Sequence, residues 1–255
     1  MILQRPSRRL ALAALWLALA APLVLAETLP LPAGQIALQT PEGQALLRGA
    51  EAAHDYGLLS IHFTTQETAT FCGPASLVMV LNAAGLPRPE RVRGEPYRLF
   101  NQENLFTPEV RKIKKPADVR RDGLSLDQLA AMFEAHGMRA GIVRAGSVSL
   151  ATFRTQAIRI LSSENEFLIV NYLRSELGQE TGGHISPVAA YDADTDMFLI
   201  LDVARYKYPP MWVSAASLHA AMDTPTGETT RGYVVARRPG LQDSGTLTLG
   251  ASAPF

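Results

Sequence analysis

The chain has 255 residues, 47% hydrophobic and 19% charged, with 24 basic side chains against 24 acidic ones. That length suits one large or two small domains with an ample core, and the composition excludes a disordered or collagen-like chain. A formal charge of zero argues against a nucleic-acid partner, which selects for a basic excess.

Residues 1–26 read as a cleaved secretory signal. Arg5, Arg8 and Arg9 form the positive region, an apolar run follows over 10–20, and Val24-Leu25-Ala26 supplies small residues for cleavage. The run is about half a bilayer span and is broken by Pro22, so no stable membrane anchor is expected. Ser7-Arg8-Arg9-Leu10 is a partial match to a twin-arginine signal. The expected location is therefore the periplasm. Cys72 is the one cysteine of the chain. In an oxidising compartment it has no disulfide partner within the chain, and four-cysteine zinc sites are excluded. A free thiol there is expected to be buried or to do chemistry.

In chain order, residues 27–60 carry Pro30, Pro32 and Pro41 and read as an arm with one short helix over 43–54. The dense apolar run over 71–84, stopped by Gly85 and Pro87, predicts a helix. Residues 86–123 lack clean periodicity and read as surface loops with short helical turns. Ser125-Leu126-Asp127-Gln128 is a capping box opening a helix to Gly137. A short strand over 139–144, a helix over 150–161 and a β-prone run over 167–172 follow. A hairpin comes next, with strands over 184–191 and 197–203 and a turn at Asp192-Ala193-Asp194-Thr195. Pro209-Pro210 breaks the chain, residues 214–222 suit a helix, and 232–236 close with a strand. Early helices followed by an antiparallel sheet indicate an α+β fold, as a single domain over 27–238 with a flexible tail over 239–255.

Cys72 stands at the start of the helix over 71–84, with Pro74 in its first turn. A thiol there feels the positive end of the helix dipole, which favours the nucleophilic thiolate. Gln66 lies six residues upstream. It is similar to the glutamine of papain-like cysteine hydrolases, whose side-chain amide joins the cysteine N–H in an oxyanion hole. Of the five histidines, His54 and His62 fall in the polar arm, His136 ends a helix and His219 sits within a short one. None shows metal-ligand spacing, so no metal site is expected.

His184 differs: it follows Thr181-Gly182-Gly183 and begins an apolar strand. With the hairpin turn centred between Ala193 and Asp194, position 184 falls opposite about 203, and a one-residue bulge brings it opposite Asp202. A carboxylate after Phe198-Leu199-Ile200-Leu201 is costly unless hydrogen-bonded. Bonded to one imidazole nitrogen, it leaves the other for Cys72.

These segments resemble the phytochelatin synthase family of papain-like enzymes, in its short prokaryotic form. The resemblance is carried by Phe71-Cys72-Gly73-Pro74-Ala75-Ser76 with Val78-Met79-Val80-Leu81-Asn82, by Gly183-His184-Ile185-Ser186-Pro187, by the segment from Asp202-Val203-Ala204-Arg205-Tyr206-Lys207 to Val213, and by Arg231-Gly232-Tyr233. It implies a papain-like fold, with the nucleophile helix of an N-terminal helical part packed on a C-terminal antiparallel sheet. It also implies a Cys72–His184–Asp202 triad with Gln66 as oxyanion donor. The implied activity is release of glycine from glutathione through a γ-glutamylcysteinyl thioester, which passes to water or to a second glutathione. Arg231 with Asp223 is the candidate pair for the γ-glutamyl end, and Arg205 and Lys207 are candidates to bind a glycine carboxylate or to stabilise the fold. No tightly bound cofactor is implied; cadmium or zinc ions would enter as thiolate complexes of the substrate. The partner is glutathione or a related γ-glutamyl thiol, and the assembly is left open to a homodimer. Two alternatives stand beside this reading: an exported papain-like peptidase of other specificity, and a non-enzymatic thiol or metal binder.

Overall fold

The computed structural model describes residues 28–87 and 99–238. The expected signal (1–26) and tail (239–255) lie outside the described residues. The N-terminal arm contributes a short strand, β1 (Ile36–Ala37), and then α1 (Pro41–Gly49). Thr40 caps this helix by accepting from the Gly43 N–H, and Pro41 sits in the first turn, where a missing N–H costs nothing. The expectation of one helix over 43–54 is corrected: Ala50 leaves helical backbone at ψ 125°, Ala52 bridges to Tyr191, and a second helix, α2 (His54–Ile61), follows.

Helix α3 (Cys72–Ala83) is buried on almost every side, as a helix apolar all round must be. It stops in a Schellman motif: Gly85 takes φ +67° and donates to Asn82 O, while the Leu86 N–H reaches Leu81 O. Beyond it, α4 (Pro108–Ile113) and α5 (Pro116–Asp122) are short, each opening on a proline. In α6 (Leu126–Ala135) both arms of the capping box form: Ser125 Oγ accepts from the Gln128 N–H, and Gln128 Oε1 from the Ser125 N–H.

The remaining elements are β2 (Arg139–Arg144), α7 (Leu150–Leu161), β3 (Glu166–Leu173), β4 (Gly183–Asp192), β5 (Met197–Ile200), β6 (Met211–Ser214), α8 (Ala215–Met222), the small hairpin β7 (Pro225–Thr226) and β8 (Thr229–Thr230), and β9 (Gly232–Arg237). All strands but β7 and β8 form one antiparallel sheet, in the order β1-β6-β5-β4-β3-β9-β2. Along β3, Phe167 and Ile169 face the core shared with α3 and α6, whereas Leu168, Val170 and Tyr172 face the core shared with α7 and α8. Burial on both faces makes β3 a continuous apolar run rather than an alternating one.

The molecule is thus a mixed α/β structure with an antiparallel sheet and eight α-helices among the described residues. Strands β1 and β6 were not anticipated. Pro209-Pro210 reads as a break, but both prolines lie just outside β6, where neither interrupts its ladder. The expected strand over 197–203 is corrected as well: a bulge between Val188 and Ala190 sets Val188 opposite Ile200, where β5 ends. No helix among the described residues is long and apolar enough to cross a membrane.

Candidate active site

Cys72 is the first residue of α3, so the positive end of the helix surrounds its sulfur. Gly73 follows because a Cβ there would meet Leu124 Cδ1 at 2.7 Å. One turn on, Ser76 Oγ lies 2.8 Å from Cys72 O and 3.2 Å from Ile185 O, tying the helix to β4.

The other half of the site sits where β4 begins. His184 Nε2 is 2.8 Å from Asp202 Oδ1 and 2.9 Å from Ser186 Oγ. The same imidazole is hydrogen-bonded to the Cys72 thiol, and with Nε2 committed the nitrogen left for sulfur is Nδ1. Tyr172, paired with His184 across the β3–β4 ladder, stands edge-on to the ring at 5.6 Å. Asp202 arrives by a different route from the one expected. It is not a ladder partner of His184, because β5 has already ended; Leu201 N–H bonds Pro187 O, and the chain then curls so that Asp202 Oδ1 accepts from the Ala204 N–H at 2.8 Å.

Sequence reasoning missed Arg174. This buried guanidinium pairs with Asp202 through Nη2, 2.9 Å from Oδ1 and 2.8 Å from Oδ2, and through Nη1 donates to Gln179 Oε1 at 2.6 Å. The rings of Tyr172 and Tyr208 flank it. The available signal was an arginine directly after a buried, mostly apolar strand, where a charge requires a partner.

The charges of the site support one another. Burial pushes the Cys72 thiol up, but the hydrogen bond and positive charge of His184, with the Ile185 and Gly73 backbone groups, outweigh it and hold the thiol below its ordinary value. Burial likewise works against the imidazolium, yet the Asp202 carboxylate keeps His184 above its usual value. Asp202 itself would be raised by burial; His184, Arg174 and the Ala204 N–H bring it down to about 2. The arrangement favours a thiolate–imidazolium pair over a buried carboxylate.

Gln66 is buried, with its N–H bonded to Val203 O at 2.9 Å, beside Asp202. Its side-chain Nε2 donates to Thr68 O at 2.7 Å and to the Tyr206 hydroxyl at 3.0 Å, while Oε1 has no partner.

A cleft of about 310 Å³ opens over Cys72 and His184. Arg231 lines it, with Nη1 held by Thr224 Oγ1 and Pro225 O and no carboxylate paired to it among the described residues. On another wall stand Arg144 and Asp127, 2.5 Å apart. Asn171, also missed from sequence, lines the cleft, and its amide forms no hydrogen bond with the described residues. Asp223 and Arg205 do not line it. Asp223 is exposed just past α8 and faces Gly146; Arg205 is exposed and stacks on the Phe63 ring at 4.7 Å. The remaining histidines are outside the site. His136 bonds Leu105 O, His219 bonds Val148 O, and His54 and His62 lie at α2. Among the described residues no group of three or more His, Cys, Asp or Glu could hold a metal ion.

Residues 26–233 match the family model described as phytochelatin synthase. The chain is 36% identical over 186 residues to glutathione gamma-glutamylcysteinyltransferase 2 of Arabidopsis thaliana, covering 72% of this chain and 40% of that protein. It is 35% identical to glutathione gamma-glutamylcysteinyltransferase 3 of Lotus japonicus, covering 77% of this chain and 41% of the relative. The match to glutathione gamma-glutamylcysteinyltransferase of Schizosaccharomyces pombe is 31% identical over 77% of this chain and 46% of the relative. The chain thus spans less than half the length of these relatives. With a model that covers most of its length and relatives that bear one activity in their names, the chain belongs to the phytochelatin synthase family.

Proposed function

We propose that this protein is a cysteine-dependent acyltransferase and hydrolase acting on glutathione, the substrate named in its relatives, which are called glutathione gamma-glutamylcysteinyltransferases. The observation that carries the reading is the buried Cys72–His184–Asp202 array under a cleft, in a chain of this family. The Cys72 thiolate attacks the carbonyl joining cysteine to glycine, forming a C–S bond. The oxyanion accepts hydrogen bonds from the Cys72 N–H and from the Gln66 Nε2 amide that donates to Tyr206 in the free protein. As the C–N bond breaks, the His184 imidazolium gives its proton to the departing glycine amine. A γ-glutamylcysteinyl thioester remains. Neutral His184 then takes a proton from water, releasing γ-glutamylcysteine, or from the amine of a second glutathione, lengthening the chain by one unit.

In this reading Asp202 keeps the imidazole charged and oriented, and Arg174 keeps Asp202 ionised. Arg231 receives a substrate carboxylate, and the Asn171 amide offers both a donor and an acceptor to the peptide groups. Cadmium or zinc ions enter as thiolate complexes of the substrate. Residues 27–238 act as one catalytic domain of papain-like arrangement, with the cysteine at a helix start and the histidine on the sheet it packs against. Export to the periplasm belongs to the same proposal and is tested by cell fractionation.

Incubation with glutathione should release free glycine, and Cys72→Ser should abolish that release. Cleavage of ordinary peptides in place of glutathione would overturn the substrate assignment, and glycine release by Cys72→Ser the mechanism.

A further inference from the structure

Gln66 sits in a stretch between α2 and α3 with no secondary structure of its own, yet the chemistry above asks it to hold a donor to within a few tenths of an ångström. What holds it is visible on both sides of the backbone. On one side the Gln66 N–H bonds Val203 O. On the other, the buried side chain of Gln102 spans the flanking residues: its Nε2 donates to Thr65 O at 2.8 Å, and its Oε1 accepts from the Glu67 N–H at 3.0 Å. One amide side chain thus occupies the place a neighbouring strand would take.

The loop carrying Gln102 is itself pinned. Asn82 of α3 brackets Phe100, accepting from its N–H at 2.8 Å and donating to its carbonyl at 3.0 Å. At the far end of the loop, His136 Nε2 lies 3.0 Å from Leu105 O. Asn82 stands near the end of the helix that starts with Cys72, so loop 99–106 couples the frame of the nucleophile to that of Gln66.

We propose that Gln102 is a positioning residue, fixing Gln66 by clamping the backbone on either side of it. The proposal rests on the assignment of Gln66 as oxyanion donor, and its test separates the two. The Gln66 side-chain amide, identified by its loss in Gln66→Ala, is followed by heteronuclear NMR in the full chain. In Gln102→Leu its signal should shift and broaden; in Gln102→Glu, which keeps the acceptor for the Glu67 N–H, it should lie between the two. Should Gln102→Leu not fold, Gln102→Glu carries the comparison. An unmoved Gln66 signal overturns the proposal, whether or not the protein turns over glutathione.

Kinetics supply the second arm. Gln102→Leu should lower kcat for glycine release by at least about tenfold with KM within about twofold, and change kcat by less than about twofold in a Gln66→Ala background, where no donor remains to misplace. Alkylation of Cys72 by iodoacetamide should keep its wild-type rate. Additive kcat losses, or slowed alkylation, overturn the proposal in favour of general destabilisation. A wild-type protein that releases no glycine tells against the substrate reading, and the NMR arm still decides the role of Gln102.

Discussion

Arg174 and His184 grip Asp202 together: the guanidinium Nη2 donates to Oδ1 at 2.9 Å and lies 2.8 Å from Oδ2, and the imidazole Nε2 lies 2.8 Å from Oδ1, with all three side chains buried. The carboxylate thereby carries two cations, one permanent and one that titrates.

Removing the permanent one leaves the buried carboxylate with His184 as its one cation. Arg174→Met should destabilise the protein by about 3–5 kcal/mol, the usual cost of breaking a buried pair from one side. Arg174 also lowers the His184 value, so the same substitution should raise it. Urea unfolding and histidine NMR titration read the two effects.

The pH dependence of kcat/KM follows from the opposed shifts of the pair. The lower limb is assigned to Cys72, held below its ordinary value, and the upper limb to His184, held above its own, so both shifts favour the thiolate–imidazolium form. Asp202→Asn removes the charge that raises His184. His184 should fall, Cys72 should rise and the bell should narrow from both sides, with kcat down by at least about 100-fold. A pH–rate profile of the two proteins checks this.

How much of this was legible in sequence depended on whether the signal was local. Ser125 with Gln128, the apolar run after Cys72 and the runs of α7 and β3 each contain their own cause, and each appeared as read. The break between α1 and α2 was hidden because its cause, the Ala52–Tyr191 bridge, lies far along the chain. His184 and Asp202 were legible as a pair, but the expected ladder pairing does not form, since a bulge at Val188/Ala190 and the early end of β5 change the path. Arg174, Asn171 and Gln102 were harder to read: the partners of Arg174 and Gln102 lie far along the chain, and Asn171 reaches the cleft only through the folding of the sheet.

The cleft over Cys72 and His184 supports a binding prediction for the proposed substrate. Arg231 has no carboxylate of its own among the described residues, so Arg231→Met should raise KM for glutathione by about 10–100-fold, the worth of one charged hydrogen bond, with a smaller change in kcat. Steady-state glycine release measures it.

Asp55 offers a test remote from the chemistry. Its carboxyl is buried in α2 with neither oxygen hydrogen-bonded, and burial raises it to about 8, against a lowering by Arg238 and a raising by Glu166. A group raised on folding is at its least costly below its unfolded value, near 4, and its stability is lost as pH climbs toward 8. Asp55→Asn should therefore be close to neutral at pH 4 and stabilising by at least about 1 kcal/mol at pH 8, read from urea unfolding at the two pH values.

On the proposed reading, the Cys72 sulfur, ionised beside His184, takes up the γ-glutamylcysteinyl group. Mass spectrometry of the intact protein, quenched in acid after brief exposure to glutathione, addresses it directly. One γ-glutamylcysteinyl adduct is expected, mapped by proteolysis to the peptide containing Cys72 and absent from Cys72→Ser. Glycine released with the sulfur of Cys72 unmodified throughout, or the adduct found on another residue, would contradict it.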